Sequence, residues 1–456
     1  MTDRIHDTNG GGPASAGPRR ADGATPRGDD SAQAAATGGE RTNDATGPRR
    51  RDVLVGAAAG LGLGAAAAIG GTVAVQRTLG PETFGTERVA ITAPHQPGLV
   101  GEPGAHVVLI GADLRPEVTR DRLEKLLRIL TDDATRLMAG APPIGDQEPE
   151  MAELPGRLAI TVGFGPALVD LVDPAARPPW LAPLPPFSID RLRPEWSDGD
   201  LLLLVEGDDP LGLAHAQRML LKDLRAFTDI RWQQTSFRNA RQALKPGTTQ
   251  RNLFGQIDGT VNPLPGTDDF ASLVWIGADG GSSGVGGDAP QWLVGGTSFV
   301  LRRIEMNLET WDEVDRPGRE ASVGRRLDTG APLTGTHETD EPDFAAVTAQ
   351  GFTVINPMSH LRRARTENPR ERIYRRTWNY DLPVSGVGGM GAPVSNSGLL
   401  FGSFQANPVT QFVPIQQRLA DGDLLNTWTT PIGSSVFAIP PLARPGGFIG
   451  DQLFAA

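Results

Sequence analysis

The segment FGQIDGTVNP (residues 254–263) holds one carboxylate, Asp258, on a loop that Gly255 and Gly259 make flexible. Two interpretations fit this pattern. Asp-Gly is a common turn dipeptide, because glycine accepts positive φ angles and aspartate bonds its own backbone. Alternatively, the glycines remove side chains so that a flat ligand can lie against the backbone beside Asp258. A carboxylate held beside such a ligand could act as a general acid or base.

A second candidate is the basic stretch MSHLRRARTENPRERIYRRTWNYD (residues 358–381), which contains His360 and seven arginines. In a chain with a net charge of −11, this local excess of positive charge predicts an anionic partner. One interpretation is a solvated basic helix that pairs with the acidic run at 338–343. The other is a site for the carboxylates of a bound cofactor, because arginine binds carboxylates in bidentate fashion.

The composition narrows the chemistry that these residues can perform. The chain of 456 residues has six histidines and no cysteine, which excludes disulfides, thiolate nucleophiles and cysteine-ligated metal centres. Redox chemistry would therefore need a cofactor with histidine, carboxylate or tyrosine ligands. The acidic net charge argues against a nucleic-acid surface.

The N-terminal part of the chain is predicted to be a targeting segment rather than a folded domain. Residues 1–50 are poor in large apolar side chains and are predicted to be disordered. Residues 51–78 form an apolar run of mostly Ala and Gly, which is weakly hydrophobic for a membrane anchor. The sequence RRDVL at 50–54 resembles a twin-arginine export signal, with an amphiphilic anchor helix as the alternative. We expect twin-arginine export to the periplasm, cell wall or medium, with residues 79–95 as a linker.

The folded part is predicted to comprise two α+β domains, residues 96–250 and 251–456. In the first, apolar runs with β-branched residues predict strands, and amphipathic stretches predict helices. The order strand–helix–strand occurs twice, which is typical of a ferredoxin-like antiparallel sheet with helices on one face. The predicted segments are strands at 106–114, 158–165, 200–209 and 229–237, and helices at 120–140 and 211–227.

The second half repeats this order of elements without repeating the sequence. A Gly-rich surface loop is expected at 279–290, and a ligand cleft is expected at the junction near residue 250 or within the second domain. The predicted segments are strands at 298–306, 352–357, 398–406 and 434–441, and a helical segment at 424–428.

Both candidate segments occur together in one known family. FGQIDGTVNP resembles the GxxDG signature of dye-decolourising haem peroxidases, and SHLRRARTENPR with RRTWNY resembles their proximal-histidine and distal-arginine segment. Other stretches agree in order, including GGTSFVLRRIEMNLETWD, GAPLTG, FQANPVTQFVPIQQRL and TTPIGSSVFAIPP. The likeness runs from about residue 88 to the C-terminus. With the export signal, it is nearest to the exported branch that includes the deferrochelatase/peroxidase of bacterial iron-uptake operons.

The resemblance implies two ferredoxin-like domains with one haem b per chain, held mainly by the second. It implies His360 as the proximal iron ligand through Nε2, with its other nitrogen bonded to a carboxylate or backbone oxygen. It also implies Asp258 as the distal acid–base group and Arg375 as the distal cation. A carboxylate in that role predicts an acidic optimum.

Further contacts along the haem are implied by the same resemblance. The loop positions that would lie along the macrocycle are Gly259, Thr260 and Val261. The positions that match the family's haem-contacting Asn-Pro-Arg are Asn368, Pro369 and Arg370. Here Arg365-Thr366-Glu367 precede that triplet, a longer spacing than the family's usual one. His337, the rival ligand, lies beside acidic residues in TGTHETDEP and is expected at the surface or in a cleft. His215 is expected to be a packed or half-exposed helix residue.

The implied activity is one-electron oxidation of phenols and dyes by hydrogen peroxide, through a ferryl intermediate. Two alternatives stay open: release of iron from haem with the porphyrin intact, and an exported haem or iron-uptake carrier without catalysis. Loading into a nanocompartment is disfavoured, because the chain ends GGFIGDQLFAA without a trailing peptide. The expected partners are hydrogen peroxide, a phenolic or dye-like reductant, the twin-arginine machinery and components of an iron permease. No nucleic-acid partner is expected, and a homo-oligomer is left open.

Overall fold

The computed structural model describes residues 85–91, 93–245, 247–277, 290–384 and 394–455. The predicted disordered segment at 1–50 and export signal at 51–78 lie outside these described residues, as do part of the linker and most of the Gly-rich loop. The described residues all belong to one compact unit. Within these ranges, no helix is long and apolar enough to cross a membrane.

Eight antiparallel strands close into one barrel in the described part of the chain. The order around the barrel is β1-β3-β2-β8-β5-β7-β6-β4. The strands are β1 (His106–Leu114), β2 (Ala159–Phe164), β3 (Leu201–Gly207), β4 (Thr228–Phe237), β5 (Thr297–Met306), β6 (Tyr374–Asp381), β7 (Ser397–Gln405) and β8 (Thr429–Ile439).

Each half of the barrel is a four-stranded sheet with the ferredoxin-like strand order. The first half runs β4-β1-β3-β2, and the second runs β8-β5-β7-β6, which is the same fourth-first-third-second order. The predicted α+β class and its repeat of element order are confirmed. Two seams make the halves continuous, because Phe164 on β2 pairs with Ala438 on β8 and Phe237 on β4 pairs with Asn379 on β6.

Helices cover the outer face of the barrel. In the longest, α1, Thr119 caps the N-terminus through the backbone N–H of Arg122, and leucines at three- and four-residue spacing are buried. The helices are α1 (Arg120–Met138), α2 (Pro166–Val172), α3 (Pro210–Leu224), α4 (Asp268–Val274), α5 (Leu308–Asp312), α6 (Arg316–Val323), α7 (His360–Ala364), α8 (Phe412–Ala420) and α9 (Asp451–Phe454). Short 3₁₀ segments lie at Pro149–Met151, Pro174–Ala176, Pro194–Trp196, Gln291–Leu293 and Leu424–Thr427.

The barrel interior is a hydrophobic core that also holds one ion pair. Phe299, Trp378 and Phe437 contribute to this core. Because successive strand residues point to opposite faces, β6 directs Arg376 inward with Trp378 and directs Arg375 outward. Inside the barrel Arg376 forms an ion pair with Glu206 of β3, and both side chains are almost fully buried. The pair therefore connects the two halves across their interior.

One predicted strand is wrong and one observed strand was not predicted. Residues 352–357 contribute only an isolated bridge, between Thr353 and Val347, and Phe352 is exposed. The strand that the second sheet needs is β6, inside the basic stretch. Tyr374, Thr377 and Trp378 favour strand structure there. The surface interpretation of this stretch as a continuous basic helix is therefore wrong, because α7 ends at Ala364.

Two facing carboxyl groups on the helical layer predict a pH-dependent stability. Asp133 on α1 and Asp223 on α3 share a hydrogen bond, and burial and the adjoining Asp133 raise the pKa of Asp223 to about 7. A carboxyl group with a raised folded-state pKa stabilises the fold below its unfolded pKa of about 4, and this contribution is lost as the pH rises through about 7. We expect Asp223→Asn to increase the free energy of unfolding by about 1 kcal/mol more at pH 8 than at pH 4, after allowance for solvent screening.

Thermal unfolding of the wild type and the variant at the two pH values measures this difference. Asp121→Asn, at an exposed position on α1, is the matched control and should show no comparable pH dependence. An equal effect of Asp223→Asn at both pH values would contradict the assignment of a raised pKa to this pair.

Candidate active site

Asp258 and Arg375 lie side by side, as the resemblance implies. Nη1 of Arg375 is 3.5 Å from Oδ1 of Asp258, and the two side chains are 25% and 12% exposed. Thr377 Oγ1 is 3.5 Å from the other carboxylate oxygen, Oδ2. Gln250 Nε2 donates to Thr377 Oγ1 at 3.0 Å, which leaves the hydroxyl proton of Thr377 to point towards Asp258. Each oxygen of Asp258 therefore has its own neighbour.

The loop that carries Asp258 has an unusual backbone. Gly255 has φ +76° and Gly259 has φ +131°, so both need glycine for conformational reasons, as the turn interpretation predicts. A Cβ at Gly255 would meet no atom within 4 Å, whereas one at Gly259 would lie 3.1 Å from Thr249. The open space beside Gly255 is compatible with the second interpretation, a ligand against the backbone.

Arg375 is locked to this loop through both its backbone and its guanidinium. Asn262 Nδ2 donates to the carbonyl oxygen of Arg375 at 2.7 Å, and Arg375 N donates to Asn262 Oδ1 at 3.1 Å. Nη2 of Arg375 donates to the carbonyl oxygen of Thr260 at 2.8 Å. The guanidinium is thus held in place before any ligand arrives.

His360 is the first residue of α7, directly after its N-cap Ser359. Its Nδ1 lies 2.5 Å from Oδ2 of Asp423, a carboxylate that is almost fully buried. Oδ1 of Asp423 accepts a hydrogen bond from Leu425 N at 3.0 Å, which fixes the carboxylate. The expected carboxylate partner of His360 is therefore Asp423, and Nε2 is the ring nitrogen left for a ligand.

The charges of Asp258 and Arg375 both affect the pKa of His360. Burial opposes the imidazolium, but the carboxylate of Asp423 outweighs it and raises the pKa of His360. Arg375 lowers this pKa and Asp258 raises it further. The imidazole itself is 36% exposed. The structure thus brings together the three residues that the resemblance singled out.

The Asn-Pro-Arg triplet is exposed and makes local hydrogen bonds. Asn368, Pro369 and Arg370 are exposed, and Asn368 Nδ2 donates to Glu371 Oε1 at 3.1 Å. Among the described residues, no hydrogen bond or ion pair joins the triplet to His360 or Asp258. Its assignment to haem contact stays a prediction.

The other arginines of the basic stretch mostly have acidic or aromatic neighbours. Arg365 pairs with Glu341, which is the pairing with the acidic run that the surface interpretation predicts. Arg362 lies over the ring of Phe344, with 4.2 Å between its Cζ and the ring centroid. Arg372 pairs with Asp269. Arg375 is therefore the arginine of this stretch that reaches Asp258.

The rival histidines lie elsewhere. The His337 side chain is 81% exposed and sits beside Asp340. His215 is buried on α3, and its Nε2 lies 2.8 Å from Oδ2 of Asp146. Glu148 completes a group of potential metal ligands there, but Arg218 already lies between Glu148 and His215. The expectations of a surface His337 and a packed His215 agree with the structure.

The barrel of two ferredoxin-like halves lies within the part of the chain that two family models match. Residues 96–238 match the N-terminal Dyp-type peroxidase family and residues 249–444 match its C-terminal counterpart. The chain therefore belongs to the Dyp-type peroxidase family.

Known proteins agree with this assignment over most of the chain. A dye-decolorizing peroxidase of Thermobifida fusca is 38% identical over 378 residues, which are 80% of this chain and 85% of that protein. A deferrochelatase of Escherichia coli strain UTI89 is 30% identical over 432 residues, 91% of this chain and 99% of the relative. The X-ray generated oxyferrous complex of DtpA from Streptomyces lividans is 34% identical, with a TM-score of 0.75 over 82% of this chain and all of that one. The protein is a DyP-type peroxidase.

Proposed function

We propose that this protein holds one haem b through Nε2 of His360 and uses hydrogen peroxide to oxidise phenolic or dye-type substrates in one-electron steps. The observation that carries the proposal is the pairing of His360 Nδ1 with the buried carboxylate of Asp423. Such a pairing orients an imidazole towards a metal and raises its basicity as a ligand. The dye-decolorizing peroxidase relative and the oxyferrous DtpA complex support the same assignment.

The residues present fit a haem. An imidazole nitrogen is a common axial ligand of haem iron in peroxidases, and His360 offers one on a partly exposed ring. Asp258 and Arg375 supply the two polar groups that peroxide chemistry requires, at a separation of 3.5 Å. The backbone beside Gly255 leaves open space.

When bound, haem supplies the electrons that break the O–O bond, and the side chains of this chain manage protons and charge. We assign to the Asp258 carboxylate the transfer of a proton from one peroxide oxygen to the other, which leaves as water. Arg375 is permanently charged, so its guanidinium stabilises developing negative charge without competing for that proton. Thr377 and Arg375 hold the two oxygens of Asp258 in position.

The test of haem ligation is His360→Ala. We expect this variant to lose most of its bound haem, because the only assigned axial ligand is removed. The measurement is the haem content per chain, from the Soret absorbance and a pyridine haemochrome assay after reconstitution and gel filtration. His337→Ala, at an exposed position, is the control and should retain one haem. Full haem content in His360→Ala with an unchanged Soret band would contradict the ligand assignment.

Iron release from haem is a second candidate function, favoured by the deferrochelatase relative. It would use the same pocket. Porphyrin fluorescence that appears without ring opening, in the presence of an iron chelator, would support it over peroxidase activity.

Unchanged ferric haem after addition of peroxide would instead support a carrier role. Twin-arginine export and an iron-permease partner also remain proposals, since the segment that carries the signal lies outside the described residues.

A further inference from the structure

Two threonine hydroxyls converge on one carboxylate oxygen beside the loop that carries Asp258. Thr249 Oγ1 and Thr260 Oγ1 each donate to Oε1 of Glu338, both at 2.7 Å. Glu338 lies on the long connection between α6 and α7, and its side chain is partly buried. Because Thr260 is two residues after Asp258, Glu338 directly contacts the loop that carries Asp258, which we call the distal loop (residues 254–263).

The segment that Glu338 holds is strained. Val261, next to Thr260, has φ +64°, a conformation that β-branched residues rarely adopt. Such a conformation persists only where the surrounding structure imposes it. The side chain of Val261 is 53% exposed, so packing of this side chain does not hold it. The polar contacts on either side of it remain as the restraint.

These polar contacts restrain the loop at two points, one on each side of Val261. On the C-terminal side of Val261, Asn262 exchanges two hydrogen bonds with the backbone of Arg375 on β6. On the N-terminal side, the hydroxyl of Thr260 is bound by Glu338. The contact of Asn262 fixes the loop to the sheet, and the contact of Thr260 fixes it to the α6–α7 connection.

Glu338 is itself anchored. Nη1 of the buried Arg325 donates to the carbonyl oxygen of Glu338 at 2.9 Å and to that of Gly330 at 2.7 Å. The carbonyl oxygen of Thr260, in turn, accepts from Nη2 of Arg375 at 2.8 Å. A continuous series of bonds thus runs from Arg325 through Glu338 and Thr260 to the guanidinium of Arg375.

We propose that Glu338 is a positioning residue of the distal site, which sets the backbone at Thr260 and, through the Thr260 carbonyl, the guanidinium of Arg375. The inference rests on the proposed roles of Asp258 and Arg375. Glu338 does not touch the reacting atoms in this scheme. Removal of the Glu338 carboxylate should increase the mobility of residues 258–262. The guanidinium of Arg375 would then leave the position in which it stabilises charge on the peroxide.

The experiment compares haem-loaded Glu338→Ala, Glu338→Gln and the wild type. We expect Glu338→Ala to lower the second-order rate constant for peroxide by about 10- to 100-fold, with an unchanged haem content and an unchanged KM for the phenol. Glu338→Gln retains an amide oxygen that can accept both hydroxyls, so it should recover most of the rate. Glu341→Ala, on the same connection but with its acid paired to Arg365, is the matched control and should behave as the wild type.

Hydrogen–deuterium exchange supplies a readout that does not depend on activity. Amides within residues 254–263 should exchange faster in Glu338→Ala than in Glu341→Ala. Thr260→Val and Thr260→Ser test the same contact without changing a charge. The valine variant should raise the exchange of residues 254–263 as Glu338→Ala does, and the serine variant, which keeps the hydroxyl, should restore the slower exchange.

The outcomes separate this inference from the proposed function. Suppose that Arg375→Leu slows the reaction with peroxide, but Glu338→Ala and Thr260→Val change neither this rate nor the hydrogen–deuterium exchange of residues 254–263. The positioning role of Glu338 is then overturned, and the assignment of Arg375 as the distal cation stands. If Arg375→Leu itself retains the full rate, the proposed distal function fails whatever Glu338 does. Equal exchange at 254–263 in all variants would also overturn the inference.

Discussion

Replacement of Arg375 by leucine is expected to slow the reaction of the haem-loaded protein with hydrogen peroxide by about 100- to 1000-fold, the usual effect of removing one preorganised charge-stabilising donor. An arginine guanidinium carries a delocalised positive charge, which it offers to the negative charge that develops on the peroxide oxygen. Its bonds to Thr260 and its position 3.5 Å from Asp258 exist before peroxide binds. Leucine keeps part of the aliphatic volume and removes the charge.

Stopped-flow absorbance of the Soret band, recorded against peroxide concentration, gives the rate constant. Haem content must first be shown to equal that of the wild type, so that the loss is not one of cofactor. Arg372→Leu, two residues before β6 and paired with Asp269, is the control and should react at the wild-type rate. A full rate for Arg375→Leu would show that another group stabilises the charge.

The second large effect is expected inside the barrel, where Arg376→Met should destabilise the protein by about 3–5 kcal/mol. Arg376 and Glu206 are 1% and 2% exposed, so the variant leaves a buried carboxylate without its counter-ion. Among the residues that the structure describes, the hydrogen-bond donor left to Glu206 is the backbone N–H of Gly104, at 3.3 Å from Oε2. One backbone hydrogen bond does not offset the desolvation of a charge.

Denaturant unfolding of wild type and variants measures this free energy. The double variant Arg376→Met/Glu206→Leu removes both charges of the pair and should recover most of the loss, because apolar side chains replace the buried ion pair as a whole. Arg115→Met breaks an exposed pair with Asp229 and should change the free energy of unfolding by less than about 1 kcal/mol. A loss in Arg376→Met no larger than that of Arg115→Met would contradict a structural role for the interior pair.

The elements that the sequence could predict were those with a regular hydrophobic pattern. HVVLIGADL predicted a strand at 106–114, and β1 spans His106–Leu114. The leucine spacing in residues 120–140 predicted α1 in the same way. β6 escaped this reasoning because Arg375 and Arg376 sit on opposite faces, one bound to the distal loop and the other to Glu206. Both arginines are satisfied by partners that are distant in sequence, and no local pattern contains that information.

The candidate active site, like the fold, was predicted only in part from the sequence. The resemblance singled out Asp258, His360 and Arg375, and the structure brings them together. Asp423 and Glu338 were not identified, because each acts through a contact with a remote residue. Asp423 lies 63 residues from His360, and its local signal is that of a cap for a short helix. The seams of the barrel were equally hidden, since each consists of a single residue pair.

The place of β8 in the barrel has a consequence for how the protein is made. β8 lies between β5 and β2, and it is the last strand in the described chain. Until residues 429–439 leave the ribosome, the facing edges of β2 and β5 have no neighbour between them. Such edges are templates for pairing with other chains. The facing edges of β2 and β5 therefore stay unpaired in the nascent protein until the last strand of the described chain has been made.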